Sequence, residues 1–303
     1  MTLTDKRARF WALALLVLGL AGFLRMMDPL ADLPADLSIS GSIYTDEGNQ
    51  CHNSRSRVLH GDWFPDDWRI THYNPILPGI KYVIFRIWGT GLLQIRMVSQ
   101  VFALLGILML MLFLKDSLGP GEALLGGLLA ATSALWNFYS RIGTFEIPML
   151  FWMLLCLALL ARHQRRPHPL LLAGAGASAF LAFIFKNIAV YFIPVPAAAL
   201  VLMAFSRHRP PGFSLLRDLA WMLLGLILAG GSWYLFFYLP AREWIASAPG
   251  SFIGNQLLPT SLSQAWHNLL GFNWREQFPR FAPVWIAGLL YLPFYTRRLL
   301  HRE

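Results

Sequence analysis

Charge-free runs alternate with short polar breaks along most of the chain. Phe10 to Leu24, Met97 to Leu114, Ala123 to Ser140, Ile147 to Ala161, Pro167 to Phe185, Asn187 to Ser206, Leu219 to Ala241 and Phe281 to Thr296 contain no Asp, Glu, Lys or Arg. A helix rising 1.5 Å per residue needs roughly 20 mostly apolar residues to cross 30 Å of hydrocarbon. The pattern therefore predicts an all-α polytopic membrane protein with about eight transmembrane helices, the shorter ones completed by flanking residues. Pro194 and Pro196 predict a kink in the sixth run, tolerated where neighbouring helices cover the freed carbonyls.

The breaks differ in charge. Alternating the spans collects Lys6/Arg7/Arg9, Lys115, Arg162/Arg165/Arg166, Arg207/Arg209/Arg217 and Arg297/Arg298/Arg302 on one side. The positive-inside rule makes that side cytoplasmic and places both termini there. The segments left outside are a long first loop (27–96), the turn Arg141 to Glu146, the turn at Lys186 and a last loop (242–280). Within the first loop, Pro75 to Trp88 is apolar but interrupted by Lys81 and Arg86, which predicts an interfacial helix anchored by Tyr82 and Trp88. Short interfacial helices are expected between Trp244 and Trp274 as well.

Composition agrees with this picture. Of 303 residues, 56% are hydrophobic and 14% charged, with mean hydropathy +0.50, whereas soluble domains carry about 25% charged residues. The net charge of +9 would suggest nucleic acid in a soluble protein. Here the basic residues cluster between apolar runs, where they set orientation, so no nucleic-acid partner is expected. Cys51 and Cys156 are too differently placed to predict a disulfide. Lys6, Arg7 and Arg9 ahead of the first run read as a signal anchor. A single transmembrane domain over 1–303, with no C-terminal soluble domain, is the expectation.

Polar chemistry concentrates on the outer side. Asp46-Glu47, some twenty residues past the first span, could serve as general base or metal ligand, or be a solvated Asp-Glu-Gly turn. Glu146 opens a span with Pro148 just inside, which suits a capping carboxylate as well as a catalytic one. Arg141 precedes it by one turn. Lys186 either snorkels or offers a point charge to an anionic headgroup. In GDWFPDDW, the carboxylates of Asp62, Asp66 and Asp67 read as a surface turn first and as polar-substrate contacts second. Histidines are scattered, and no nucleotide-phosphate or hydrolase-nucleophile motif occurs.

The order YTDEGNQ, GDWFP, HYNPILPGIKYVIFRIWG, IRMVSQVFALLGI, SALWNFYSRIGTFEIPMLF, FKNIAVYFIPVP after an N-terminal anchor resembles the GT-C superfamily of membrane glycosyltransferases. The likeness, over about residues 10 to 205, is to the branch of protein O-mannosyltransferases and lipid A aminoarabinose transferases. It implies an inner (plasma) membrane protein of a bacterium that moves a sugar from a polyprenyl-phosphate donor to a lipid, glycan or protein acceptor outside the cytoplasm. Asp46 then takes the position of the catalytic first-loop acid, with Glu47 beside it and Glu146 at the second-loop acidic position, more often Asp. Lys186 stands where Lys-Gly is usual, with Asn187 replacing the glycine, and HYNPILPG replaces a Pro-Pro-Leu run.

That resemblance implies an inverting displacement with Asp46 as general base and Arg141, Lys186, Arg96 and Lys81 around the donor phosphate. Tyr44, His72 and Asn74 are candidate substrate contacts. Glu47 or Glu146 would orient sugar or acceptor, or help to hold a divalent cation if one is used; no other cofactor is implied. Phe85, Trp88, Tyr191 and Phe192 are candidates for a lipid-tail groove or ordinary belt residues. The competing class is a transporter, flippase subunit or lipid-binding scaffold. It would keep ionisable groups near mid-membrane and show internal repeats, and neither is seen.

Overall fold

A computed structural model describes residues 3–30, 45–64, 70–72, 74–206 and 209–247. Its contacts divide into two units, 1–241 and 242–303. Of the second, only the end of the last described helix is included, so the expected span 281–296 and most of the last outer loop lie outside the described residues.

All described elements are helical. α1 (Leu3–Met26) leads to α2 (Thr45–His60), a 3-10 turn (Ile70–His72) and α3 (Ile76–Trp88). α4 (Leu92–Ser117), α5 (Pro120–Thr132), α6 (Ala134–Ser140), α7 (Glu146–Arg165) and α8 (Pro169–Phe185) follow. A second 3-10 turn (Asn187–Phe192) precedes α9 (Pro194–Phe205), then α10 (Leu215–Trp233), a π turn (Tyr234–Tyr238) and α11 (Leu239–Ser247). Five stretches are long and apolar enough to cross a membrane: Arg7–Met26, Leu92–Ser117, Glu146–Arg165, Ile188–Phe205 and Leu215–Glu243. α8 is equally apolar at 17 residues. This is an integral membrane protein.

Three expectations need correction. The run Ala123 to Ser140 is two helices, because Ser133 ends α5 and recaps α6, its Oγ accepting from Trp136 N at 3.3 Å; a serine side chain supplies at an N-cap the acceptor that helix continuation would have provided. Pro194 bends no helix but starts one. Its missing N–H costs nothing at a first helical position, and the preceding residues take the tighter 3-10 form. Asp46 and Glu47 are on no open loop: both lie in the first turn of α2, where carboxylates suit the helix dipole.

The helices pack with α4 on α7, α7 on α8, α8 on α10, and α5 against both α1 and α4. Small residues allow close approach, as expected where apolar lipid removes the hydrophobic drive between helices. A Cβ on Gly176 would sit 1.9 Å from Met222 O, and one on Gly225 1.8 Å from Ala173 O. α8 and α10 therefore meet backbone to backbone. The basic ends gather at one end of the bundle. Asp116 pairs with Arg162 at 3.5 Å and Arg165 at 3.9 Å, Lys115 lies over the Phe10 ring, and His163 Nε2 is 3.5 Å from Asp218. The opposite end carries α2 and α3. α3 spans only about 20 Å, too short to cross, and buries Leu77, Lys81 and Phe85 along one stripe. Of the four candidate groove residues, Phe85 and Phe192 are buried in the core, whereas Trp88 and Tyr191 are exposed.

Candidate functional site

The turn between α6 and α7, Arg141 to Phe145, is the meeting point of the α2–α3 end. Glu47 is wholly buried and forms a two-pronged ion pair with Arg96 of α4, Nε to Oε1 at 3.1 Å and Nη2 to Oε2 at 2.9 Å. Its Oε1 also accepts from the backbone N–H of Gly143 at 2.6 Å. Lys81 of α3 is equally buried and donates to Gly143 O at 2.8 Å and Gln50 O at 3.5 Å. Gly143 thus offers its N–H to one buried charge and its carbonyl to the other. A side chain there would collide with Ile95, the Cβ lying 2.0 Å from Cγ2. Charge-assisted bonds of this kind satisfy groups that would be costly to bury alone.

Both neighbours of that turn are tied as well. Arg141 donates through Nη2 to the carbonyls of Met27 and Asp28, just beyond α1. Glu146, at the first residue of α7, pairs through Oε1 with Lys186 at the end of α8. The residue before Lys186, Phe185, gives its carbonyl to Asn74 Nδ2 at 3.2 Å, while Asn74 Oδ1 accepts from Leu77 N in the first turn of α3. His72 stacks on Phe64 at 4.5 Å.

So Asn74, Lys81, Arg96, Arg141, Glu146, Lys186 and Glu47 gather at one end, drawn from four helices and three connecting segments. Asp46 shares the first turn of α2 with Glu47, but its side chain lies outside the described residues, as does Tyr44. Asp66 and Asp67 lie outside them too, whereas Asp62 Oδ1 accepts from Phe64 N in a tight turn. Arg96 and Lys81 are engaged within the protein rather than presented at a surface. Among the described residues, no three His, Cys, Asp or Glu come together as a metal site.

Burial sets the ionisation of two groups outside the spans. Loss of water pushes the Lys81 ammonium down to about 8, against the opposing pull of the neighbouring Cys51 and Glu47 charges. The Cys51 thiol is pushed up by its own burial, partly offset by Lys81. With a folded value below its unfolded one, Lys81 binds fewer protons in the folded state between about pH 8 and 10.5. Stability must therefore rise with pH through that window. The melting midpoint of the wild type should climb from pH 8 to 10 relative to Lys81→Met; parallel curves would mean the ammonium carries no such penalty.

Reasoning from sequence missed Arg25 and the roles of Gly143. Arg25 lies in the last turn of α1 yet is fully buried. The available signal was a single arginine at the end of a span whose basic partners all lie at the opposite end.

A family model described as dolichyl-phosphate-mannose-protein mannosyltransferase matches residues 74–235, more than half of the chain. The match includes Asn74, Lys81, Arg96, Arg141, Glu146 and Lys186. No curated protein and no solved structure matches the chain.

Proposed function

The chain belongs to the dolichyl-phosphate-mannose-protein mannosyltransferase family, a family of membrane glycosyltransferases, and from that premise we propose that it moves a sugar from a polyprenyl-phosphate donor to an acceptor on the non-cytoplasmic face. The supporting observation is the turn Arg141 to Glu146, where Glu47 of α2, the buried lysine of α3 and the Glu146–Lys186 pair converge. In this reading both basic-rich termini are cytoplasmic, the membrane is a bacterial inner membrane, and the acceptor is a lipid, glycan or protein.

The reaction is a single in-line displacement with inversion. The acceptor hydroxyl or amine bonds to the anomeric carbon and gives its proton to Asp46, while the bond from that carbon to phosphate oxygen breaks and the electron pair leaves with polyprenyl phosphate. Negative charge grows on the leaving phosphate, and Arg141 and Lys186 stabilise it. Glu146, paired with Lys186, orients sugar or acceptor, and Asn74 and His72 are further substrate contacts. Arg96, Lys81 and Glu47 act by position: they lock α2, whose first turn carries Asp46, against the Arg141 to Phe145 turn. Glu146 is the carboxylate that would help to hold a divalent cation, which would there offset charge on the leaving phosphate.

Purified protein in liposomes, given a radiolabelled polyprenyl-phosphate sugar and an extract of envelope acceptors, should release polyprenyl phosphate only when acceptor is present. Uptake of a solute without that release would replace the proposal with a transporter.

A further inference from the structure

The chain leaving α1 is gripped by its carbonyls. Arg25 O accepts from Gln100 Nε2 of α4 at 3.4 Å. Met27 O and Asp28 O both accept from Arg141 Nη2, and Pro29 O accepts from Arg96 Nη1 at 3.3 Å. The same Arg96 holds Glu47 through Nε and Nη2. The strap from Arg25 to Pro29 is thus bound by two guanidinium groups. One holds the helix that carries Asp46, and the other is the cation placed above at the leaving phosphate.

Asp28 is the unusual residue of this strap. Its φ is +59°, the only positive φ outside glycine among the described residues. A left-handed conformation is uncommon for a residue with a side chain, and a following proline such as Pro29 favours extended, negative-φ values. Conformations of this kind persist only where their surroundings over-determine them, and they cluster at functional sites. Left-handed residues also close many helices, and Asp28 follows the last turn of α1. Helix closure explains the sign of φ. It does not explain why both adjoining carbonyls meet an arginine 113 positions further on.

The direction of the carbonyls supplies the reason. Along an extended chain successive carbonyls face opposite sides, out of reach of a single nitrogen. Asp28 stands between the two peptide groups, and its left-handed turn brings Met27 O and Asp28 O to one side, where Arg141 Nη2 takes both. The turn needs the Asp28 backbone and makes no demand on its carboxylate.

We infer that Asp28 is a positioning residue for Arg141, aiming the guanidinium through two backbone carbonyls that its left-handed turn sets side by side. This rests on the role given to Arg141 in the transfer reaction above. A cation fixed before the reaction stabilises developing charge without having to reorganise during it.

The test compares Asp28→Val, Asp28→Asn and Asp28→Gly in liposomes. A β-branched side chain opposes positive φ, whereas glycine and asparagine adopt it. Asp28→Val should lower sugar transfer about ten- to a hundredfold, the scale of an ångström-sized misplacement, and the asparagine and glycine variants should restore it. Combined with Arg141→Gln, Asp28→Val should cost no more than about a further twofold. A full additional loss in that background would make Asp28 a residue of the fold alone and overturn the inference. Equal losses in all three variants would overturn it too, since the carboxylate would then be the working group. A second readout needs no transfer: modification of Arg141 by phenylglyoxal, followed by peptide mass spectrometry, should run severalfold faster in Asp28→Val than in wild type or Asp28→Gly. Equal rates overturn the inference. A wild type that transfers no sugar while the labelling contrast holds sinks the transferase reading and upholds the aiming of Arg141 by Asp28. Should Asp28→Val fail to fold, Asp28→Ala, whose unbranched Cβ opposes the turn less, is judged by the same two readouts.

Discussion

Asp46→Asn should lower sugar transfer by roughly 10²–10⁴-fold, the range that general-base catalysis contributes, while leaving the melting temperature and donor binding near wild type. The amide keeps the size of the side chain and its place in the first turn of α2, but it cannot take the acceptor's proton. Glu47, one residue on, gives the internal comparison. Its carboxylate is consumed by Arg96 and Gly143, so Glu47→Gln should fail through loss of fold before any loss of chemistry. Steady-state transfer in liposomes, alongside circular dichroism melts of both variants, separates the two. Transfer by Asp46→Asn within a few-fold of wild type would exclude it as the base.

Breaking the Glu47–Arg96 pair has the largest expected effect on stability. Both partners are almost completely buried, with side-chain exposures of 0% and 3%. Removing one leaves the other charged in a site built for the pair, which typically costs roughly 3–5 kcal/mol. Glu47→Gln also weakens the acceptor for the Gly143 N–H. The double variant Glu47→Gln/Arg96→Met should recover part of the loss, since neither charge then remains. Chaotrope titration of the detergent-solubilised variants reads both effects. Additive losses in the double variant would mean that the two residues do not act as a unit.

The architecture was legible to different depths in different places. Charge-free runs located the spans because a bilayer imposes length and apolarity on contiguous residues, and the basic breaks sorted their ends. Glu146 and Lys186 were readable as neighbours because each lies at a span end on the same side. The Glu47–Arg96 pair was not, since 49 positions separate two residues whose only common property is an unusual burial. The split at Ser133 was hidden because Ala123 to Ser140 is uniformly apolar and one serine reads equally well as a span residue or a cap. Pro194 was legible as a disturbance but not as a beginning; the 3-10 geometry ahead of it decides, and hydropathy carries no trace of that.

The double use of Gly143 bears on how this architecture diversifies. Its N–H answers to α2 and its carbonyl to α3, so three stretches distant in the chain share one glycine. Swapping the first extramembrane region between homologous proteins would orphan both of its backbone groups unless the short connection before α7 travelled with it. Recombination that respects gene order alone will thus tend to yield misassembled hybrids, and acceptor preference is expected to evolve by concerted replacement of both regions.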